Sequence, residues 1–217
     1  METAGACADP EVLREKPREK KKKGRKLMVY VHLADGFEEI EAITVVDVLR
    51  RAGIDVRTVA IHAENEIPAD AQAALIKGAH DIKIKADLLF KDADYTKCDM
   101  IVLPGGMPGA ANLGAHKGLT SAIKEFASAG KPLAAICAAP MIFGNLGILA
   151  GKRATIYPGM ESFLKGAEAV QDRVAVDGNF ITSRGPATAM DFALAIVEFL
   201  KSGGSADKLA ADMLCRR

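Results

Sequence analysis

Residues 133–140 read Leu133-Ala134-Ala135-Ile136-Cys137-Ala138-Ala139-Pro140, an apolar run that ends in a cysteine. The pattern predicts a buried strand that passes into a helix with almost no intervening turn. Such a junction presents the sulfur to the first free amides of a helix, and these amides favour the thiolate over the thiol. Cys137 is therefore the first candidate for chemistry. The alternative is a small core residue that closes a buried strand.

Similar patterns recur on both sides of this segment. Residues 27–33 and 100–103 are continuous apolar runs, residues 54–61 alternate as a strand, and helices are predicted at about 37–52, 119–129, 138–146 and 186–200. Residues 74–89 indicate a short hairpin or edge strands, and residues 174–182 a hairpin that turns at Asp177-Gly178. Strands that alternate with helices predict an α/β fold with a doubly wound, mostly parallel sheet and helices on both faces.

In folds of this class, binding sites lie at the carboxyl ends of the strands. Three segments of the chain meet that condition, namely residues 35–41, residues 104–109 and the segment that begins at Cys137.

The composition predicts one folded domain over residues 27–217. The chain has 217 residues, of which 49% are hydrophobic and 26% charged, enough to bury a core. Residues 1–26 hold nine Lys and Arg against five Asp and Glu, which is typical of a solvated, disordered basic tail. This tail lacks interleaved aromatic residues and carries acids, so nucleic-acid binding is not expected.

The four cysteines are widely spaced and form no CxxC pair; they are Cys7, Cys98, Cys137 and Cys215. This usage predicts unpaired thiols in the cytoplasm, with no disulfide framework and no metal site. No apolar run reaches the length of a membrane span, so no membrane partner is expected.

Three acids, Glu38, Glu39 and Glu41, lie at the start of the first predicted helix. Acids in a first turn are explained by the helix dipole alone. Helical periodicity nevertheless places at least one of them against an apolar layer. Burial beside a thiolate would raise the pKa of that carboxyl and keep it protonated, so that it donates a hydrogen bond to the sulfur. Periodicity does not choose between Glu38 and Glu41.

The loop after the strand at 100–103 contains Gly105-Gly106. Paired glycines either form a simple turn or let backbone amides approach a ligand, and here the amides of Gly106 and Ala138 could form an oxyanion hole. The loop is not a GxGxxG fingerprint, which argues against a nucleotide-binding loop.

The histidines exclude several mechanisms. All four precede Cys137, so no histidine follows it as a downstream base; they are His32, His62, His80 and His116. Their spacing fits no metal-ligand pattern. His32 is predicted to be a core residue, and the other three are predicted to lie on the surface.

From residue 27 to residue 200 the chain closely resembles the ThiJ/PfpI superfamily, in particular the branch of the parkinsonism-associated protein deglycase. The resemblance implies a flavodoxin-like fold, a homodimer, Cys137 as a reactive and oxidisable thiol, Glu41 as its protonated partner and Gly106 as an amide donor. It is carried by Gly36-Phe37-Glu38-Glu39-Ile40-Glu41, Val46-Asp47-Val48-Leu49-Arg50-Arg51-Ala52-Gly53, Leu103-Pro104-Gly105-Gly106, Ala134-Ala135-Ile136-Cys137-Ala138 and Thr182-Ser183-Arg184-Gly185-Pro186.

The chain departs from the family pattern at three positions. Tyr157 stands where relatives hold a histidine near the cysteine, and His80 where relatives offer an arginine from the partner subunit. Ala138 follows the cysteine, where the protease-like branch has a histidine, which argues against a peptidase. We expect Gly105, Tyr157 and His80 to line the pocket.

Together these features predict a cofactor-free, cysteine-dependent enzyme of the glyoxalase or deglycase type. Its expected substrates are small aldehydes such as methylglyoxal, or their early adducts with amines and thiols. The alternative is a redox-responsive protective protein or chaperone that senses oxidants through Cys137. A flavodoxin-like nucleotide binder is a third possibility. A homodimer is also expected because the first helix is apolar almost all round.

Overall fold

The computed structural model describes residues 26–63 and 74–215. The predicted basic tail, apart from Lys26, lies outside the described residues, as does Cys7. No helix within the described ranges is long and apolar enough to cross a membrane.

The described residues form eleven strands and six α-helices. The strands are β1 Met28–Ala34, β2 Asp55–Ile61, β3 Leu75–Lys77, β4 Lys83–Lys85, β5 Leu88–Leu89, β6 Met100–Leu103, β7 Leu133–Ile136, β8 Arg153–Ala154, β9 Glu168–Ala169, β10 Val174–Asp177 and β11 Phe180–Ser183. The helices are α1 Glu39–Arg51, α2 Gly109–Ala115, α3 Lys117–Ser128, α4 Pro140–Asn145, α5 Ala189–Leu200 and α6 Gly203–Asp212.

Seven strands form the central sheet in the order β10-β11-β7-β6-β1-β2-β5. All neighbours pair in parallel except β10 and β11, which form an antiparallel hairpin at one edge. From β1, the sheet continues in one direction to β2 and in the other direction through β6 to β7. Right-handed crossovers in opposite directions place α1 on one face and α2 and α3 on the other. The structure is therefore flavodoxin-like and doubly wound, which confirms the predicted fold class.

The core follows from the apolar runs in the sequence. Every residue of β6 and β7 is buried, and in β1 only Met28 is partly exposed. Continuous burial is expected for parallel strands that are covered on both faces. Large side chains of the helical layers complete the core; for example, Phe143 of α4 meets Phe180 of β11 with ring centroids 5.9 Å apart.

The element boundaries differ from the prediction at two points. The β10–β11 hairpin turns at Gly178 and Asn179 rather than at residues 177–178, because Gly178 takes a φ of 60°. Helix α4 begins at Pro140, not at Ala138, so a turn separates the cysteine from the helix. The short β3–β4 hairpin is confirmed.

A buried hydrogen bond ties the end of β8 to the sheet. The Thr182 hydroxyl accepts the backbone N–H of Thr155 at 2.9 Å, and both residues are buried. We expect Thr182→Val to cost about 1–3 kcal/mol in the free energy of unfolding, because the buried amide loses its acceptor. Urea denaturation measures the cost. Thr120→Val on α3, whose hydroxyl bond is exposed, is the control, and equal values for the two variants would contradict the prediction.

Candidate active site

Three loops meet at the carboxyl edge of the central sheet. They follow β1, β6 and β7, which are neighbours in the sheet. The backbone N–H of Glu38, before α1, donates to the carbonyl of Gly105 at 2.9 Å and so joins the first two loops. The third loop begins at Cys137. The sequence therefore predicted the right edge and the right segments.

Cys137 adopts a left-handed backbone conformation, with φ of 62°. Few non-glycine residues do so, and the strain is held here by two backbone hydrogen bonds. The Cys137 N–H donates to the carbonyl of Ser183 at 2.9 Å, and its carbonyl accepts the N–H of Tyr157 at 2.9 Å. The residue is buried, with 8% of its surface exposed. The elbow therefore holds the sulfur in one place.

Only glycine fits at position 105. A Cβ built there would lie 2.6 Å from the Cβ of Cys137 and 2.9 Å from Oε2 of Glu41. Gly106 takes a φ of 83°, and a Cβ at this position would lie 2.5 Å from the N of Glu38. The two glycines thus let the loop backbone approach both Cys137 and the start of α1.

Glu41 supplies the carboxyl beside the cysteine. It lies on the first turn of α1, is fully buried, and its Oε2 accepts the N–H of Gly105 at 2.7 Å. Its other oxygen, Oε1, has no nitrogen or oxygen partner among the described residues. Burial raises the pKa of Glu41 to about 7, although the Gly105 N–H and the hydrogen bond with Cys137 act in the opposite direction. Tertiary structure thus selects Glu41 from the acids that periodicity left open.

The pKa of Cys137 moves opposite to the prediction from the sequence. Burial, followed by the charge of Glu41, raises the pKa of the thiol to about 12, while the amides of Gly106 and Ala138 lower it. The expected lowering of the pKa was wrong, because burial and the charge of Glu41 outweigh the two amides, and α4 itself begins only at Pro140. Two anions side by side in a buried site oppose each other. Above pH about 7 the pair therefore holds one proton between carboxyl and sulfur.

This shared proton predicts the pH dependence of alkylation at Cys137. The iodoacetamide rate should stay low near neutral pH and rise toward pH about 12, because the thiolate is the reactive form. In Glu41→Gln the rise should move to lower pH, since the charge and the hydrogen bond of Glu41, which both raise the pKa of the thiol, are removed. Mass spectrometry of the labelled peptides measures the rates. Cys98 is the internal control, because burial raises its pKa to about 12, and identical profiles in wild type and variant would contradict the shared proton.

The other two acids have different surroundings. Glu39 accepts the backbone N–H of His80 at 2.8 Å and lies 2.9 Å from its Nδ1. Glu38 Oε2 lies 3.5 Å from the same Nδ1. Burial raises the pKa of Glu39, but the bonds from His80 and neighbouring amides outweigh it and leave that pKa low. Sequence analysis missed this contact, because His80 is 41 residues from Glu39.

The remaining predicted pocket residues lie at the edge of the site. The Tyr157 backbone contacts the elbow, but its side chain is 48% exposed. His80 contacts Glu38 and Glu39 of its own chain, and its side chain is 68% exposed. The structure thus brings together Cys137, Glu41, Gly105, Gly106 and Ala138, with Tyr157 and His80 outside that group.

His32 and His116, which lie outside this site, make contacts that stabilise the fold. His32 is fully buried, and its Nε2 lies 2.7 Å from the hydroxyl of Tyr95, as a satisfied core histidine should. Burial lowers the pKa of His32 to about 3. His116 caps α3, where its Nδ1 accepts the N–H of Leu119 at 3.0 Å. The prediction of a core role for His32 is confirmed.

A buried cysteine and carboxyl at the carboxyl edge of a doubly wound sheet define a class of α/β proteins with a cysteine–carboxyl centre. In a comparison with protein families, the model of the DJ-1/PfpI family matches residues 27–199. The chain belongs to the DJ-1/PfpI family.

Curated relatives agree with this assignment. The chain is 42% identical over 171 residues to Protein DJ-1 homolog B of Arabidopsis thaliana, covering 78% of this chain and 37% of that protein. It is 37% identical over 186 residues to Protein dj-1beta of Drosophila melanogaster, covering 85% and 95%. It is 33% identical over 178 residues to a protein named deglycase from Pyrococcus abyssi, covering 81% and 100%. The chain spans less than half the length of two Arabidopsis relatives, 37% of one and 46% of the other.

Solved structures show the same fold. Drosophila melanogaster DJ-1beta aligns with a TM-score of 0.80 at 36% identity, covering 89% of this chain and 100% of that one. A structure described as Toxoplasma gondii DJ-1, oxidized, aligns with a TM-score of 0.80 at 33% identity, covering 88% and 100%.

Proposed function

We propose that the protein is a cofactor-free, cysteine-dependent enzyme that converts glyoxals such as methylglyoxal to hydroxyacids, or acts on their early adducts with amines and thiols. The observation that carries this proposal is the buried Cys137–Glu41 pair, in which burial raises the pKa of the carboxyl to about 7. A carboxyl with this pKa can both accept and donate a proton near neutral pH. Relatives named deglycase add support at the level of the family.

The proposed reaction begins with attack of the Cys137 sulfur on the aldehyde carbon. Glu41 takes the thiol proton as the carbon–sulfur bond forms, and the carbonyl oxygen becomes an alkoxide that accepts hydrogen bonds from the amides of Gly106 and Ala138. Glu41 then gives this proton to the alkoxide, which yields the hemithioacetal and restores the carboxylate.

The second half is an internal oxidation and reduction. Glu41 removes the proton from the former aldehyde carbon, and the hydroxyl proton on that carbon passes to the ketone oxygen, which gives an enediol-type intermediate. Glu41 then returns its proton to the former ketone carbon, so the first carbon is oxidised to a thioester and the second is reduced to an alcohol. The resulting thioester is hydrolysed by water, which releases the hydroxyacid and restores the thiol. Methylglyoxal and water thus give lactate without an external oxidant.

Direct product detection tests this proposal. The purified full chain is incubated with methylglyoxal in buffer without added thiols, and lactate is measured by chromatography. Catalytic turnover that is lost in Cys137→Ser is the expected result. Loss of methylglyoxal without formation of lactate would indicate simple adduct formation and would overturn the proposal.

A second candidate is a redox-responsive protective protein. It is favoured by the surroundings of the sulfur, where the amides of Gly106 and Ala138 and the Glu41 carboxyl could hold the oxygens of a sulfinate. One solved relative is itself described as oxidized. Two equivalents of hydrogen peroxide should then convert Cys137 to the sulfinate, detected as a mass gain of two oxygens. Suppression of client aggregation by the oxidised protein, with no lactate formed, would favour this role over the enzyme.

We further propose a homodimer in the cytoplasm. Helix α1 leaves Ile40 56% exposed and Ile43 39% exposed, which suits cover by a second copy of the chain. The salt bridge predicted between Asp47 and Arg51 is confirmed on the outer side of this helix, at 2.7 Å. Light scattering at micromolar concentration should report a dimer, and a monomer would contradict this proposal.

A further inference from the structure

Glu38, Glu39 and His80 form a compact cluster beside the Cys137 site. Glu38 and Glu39 lie at the start of α1, whereas His80 lies in the turn between β3 and β4. Each residue offers one ligand atom, and the three atoms lie within 4.8 Å of one another. The sequence predicted no metal site because the histidines lack ligand spacing. The fold supplies the missing partners from a distant segment.

Backbone contacts hold this cluster in place. Glu39 Oε1 accepts the backbone N–H groups of His80 at 2.8 Å and of Ile82 at 3.4 Å. These bonds occupy one carboxylate oxygen and fix the β3–β4 turn against α1. They leave Oε2 of Glu39 directed at the imidazole, 2.9 Å from Nδ1. The turn and the helix are thus positioned independently of any bond between the two side chains.

The three ligand atoms lie close enough to reach one small cation, since all of them are within 4.8 Å of one another. Nδ1 of His80 lies 2.9 Å from Oε2 of Glu39 and 3.5 Å from Oε2 of Glu38. Ligands about 2.0–2.2 Å from a tetrahedral Zn²⁺ are about 3.3–3.6 Å apart, so no separation within the cluster has to change by more than about 1.5 Å. One imidazole and two carboxylates are a donor set that Zn²⁺ accepts.

The state of Glu38 is a second, independent indication of a ligand. Its side chain is nine-tenths buried, yet its carboxylate receives no hydrogen bond from any described residue. Its one polar contact within the described ranges is the 3.5 Å approach of His80. The Glu38 carboxylate oxygens are therefore available as ligands for a cation. The His80 side chain is 68% exposed, which leaves an open path for an ion and its water.

We propose that Glu38, Glu39 and His80 bind one Zn²⁺ ion, with water in the fourth position. The site is separate from the Cys137–Glu41 pair, and the proposal does not depend on aldehyde turnover. Zinc is the class of ion that this mixed nitrogen and oxygen set favours, whereas Mg²⁺ and Ca²⁺ prefer sites made of oxygen ligands alone.

Isothermal titration of the full chain with ZnCl₂, in a buffer that does not chelate zinc, tests the site. We expect one equivalent to bind, and both His80→Ala and Glu38→Gln to weaken binding by about 10–100-fold. His62→Ala is the matched histidine control and should bind as the wild type does. Cys137→Ser should also keep the site. Circular dichroism of each variant verifies the fold.

The visible absorption spectrum of the Co²⁺ complex reports which atoms bind the metal. The wild-type complex should show visible d–d bands without a thiolate charge-transfer band, and these bands should disappear in His80→Ala. Zinc binding that is lost in Cys137→Ser but kept in His80→Ala would assign the ion to the thiol and overturn the proposal. Absence of stoichiometric binding to the wild-type chain would overturn it as well.

Discussion

Cys137→Ser is expected to lower hydroxyacid formation from methylglyoxal by at least about 10³-fold. A serine hydroxyl at this elbow keeps the size of the side chain but is a far weaker nucleophile than a thiol, and Glu41, with a pKa of about 7, is too weak a base to ionise it. The backbone bonds of the elbow, to Ser183 and from Tyr157, do not involve the sulfur and should persist. The rate of lactate formation, measured directly, reports the loss.

Cys215→Ser is the matched control for this experiment. Cys215 is also a free thiol, lies near the end of the described chain, and is part-buried. Its loss should leave turnover within twofold of the wild type. If Cys137→Ser kept a tenth or more of the wild-type rate, the cysteine-dependent mechanism would be wrong.

Glu41→Gln is expected to lower turnover by about 10²–10⁴-fold, the usual contribution of a positioned acid and base. Glutamine can still accept the Gly105 N–H, and its NH₂ group can donate to the sulfur, so the geometry should survive. The amide cannot exchange protons with the substrate. Glu38→Gln leaves the carboxyl at position 41, so a Glu38 variant as inactive as the Glu41 variant would contradict the single-acid mechanism.

Glu41→Gln should also raise the free energy of unfolding at alkaline pH. Burial raises the pKa of Glu41 from 4.5 to about 7. The stabilisation from its buried neutral form is therefore fully present below pH 4.5 and is lost as pH rises through about 7. At about 1.4 kcal/mol for each tenfold change in proton affinity, the loss approaches about 3 kcal/mol. Glutamine remains neutral and avoids it.

Urea denaturation at pH 4 and pH 8 measures this effect. Glu41→Gln should resemble the wild type at pH 4 and exceed it by about 3 kcal/mol in the free energy of unfolding at pH 8. Glu125→Gln, on the exposed side of α3, is the control and should show no such difference between the two pH values. If the difference in the free energy of unfolding between Glu41→Gln and the wild type did not change with pH, Glu41 would not be buried as a neutral acid.

Much of the fold could be predicted from local patterns in the sequence. Continuous apolar runs at residues 27–33, 100–103 and 133–136 indicated parallel strands, and the structure has β1, β6 and β7 there. Burial on both faces requires such runs, so the pattern is direct evidence of the layer arrangement. The ends of helices were predicted less accurately. Helix α4 begins at Pro140 rather than at residue 138, because a turn and the first turn of a helix accept the same small residues at 138–139.

The candidate site could be predicted only in part. The sequence placed Cys137 and the Gly105-Gly106 loop at the carboxyl ends of neighbouring strands, and the structure brings them together. It left Glu38 and Glu41 as alternatives, because both lie near the start of one helix. The rotation of α1 against the sheet decides between them, and it buries Glu41 fully while Glu38 faces His80.

The sequence by itself determined the doubly wound architecture, the single cysteine at the elbow and the absence of a downstream histidine. Tertiary structure alone decided which acid meets the thiol, that His80 lies against Glu38 and Glu39, and that the pKa of Cys137 rises rather than falls. Strand and helix patterns depend on neighbours along the chain. A pKa and a ligand cluster depend instead on burial and on charges a few ångströms away, which come from segments far apart in sequence.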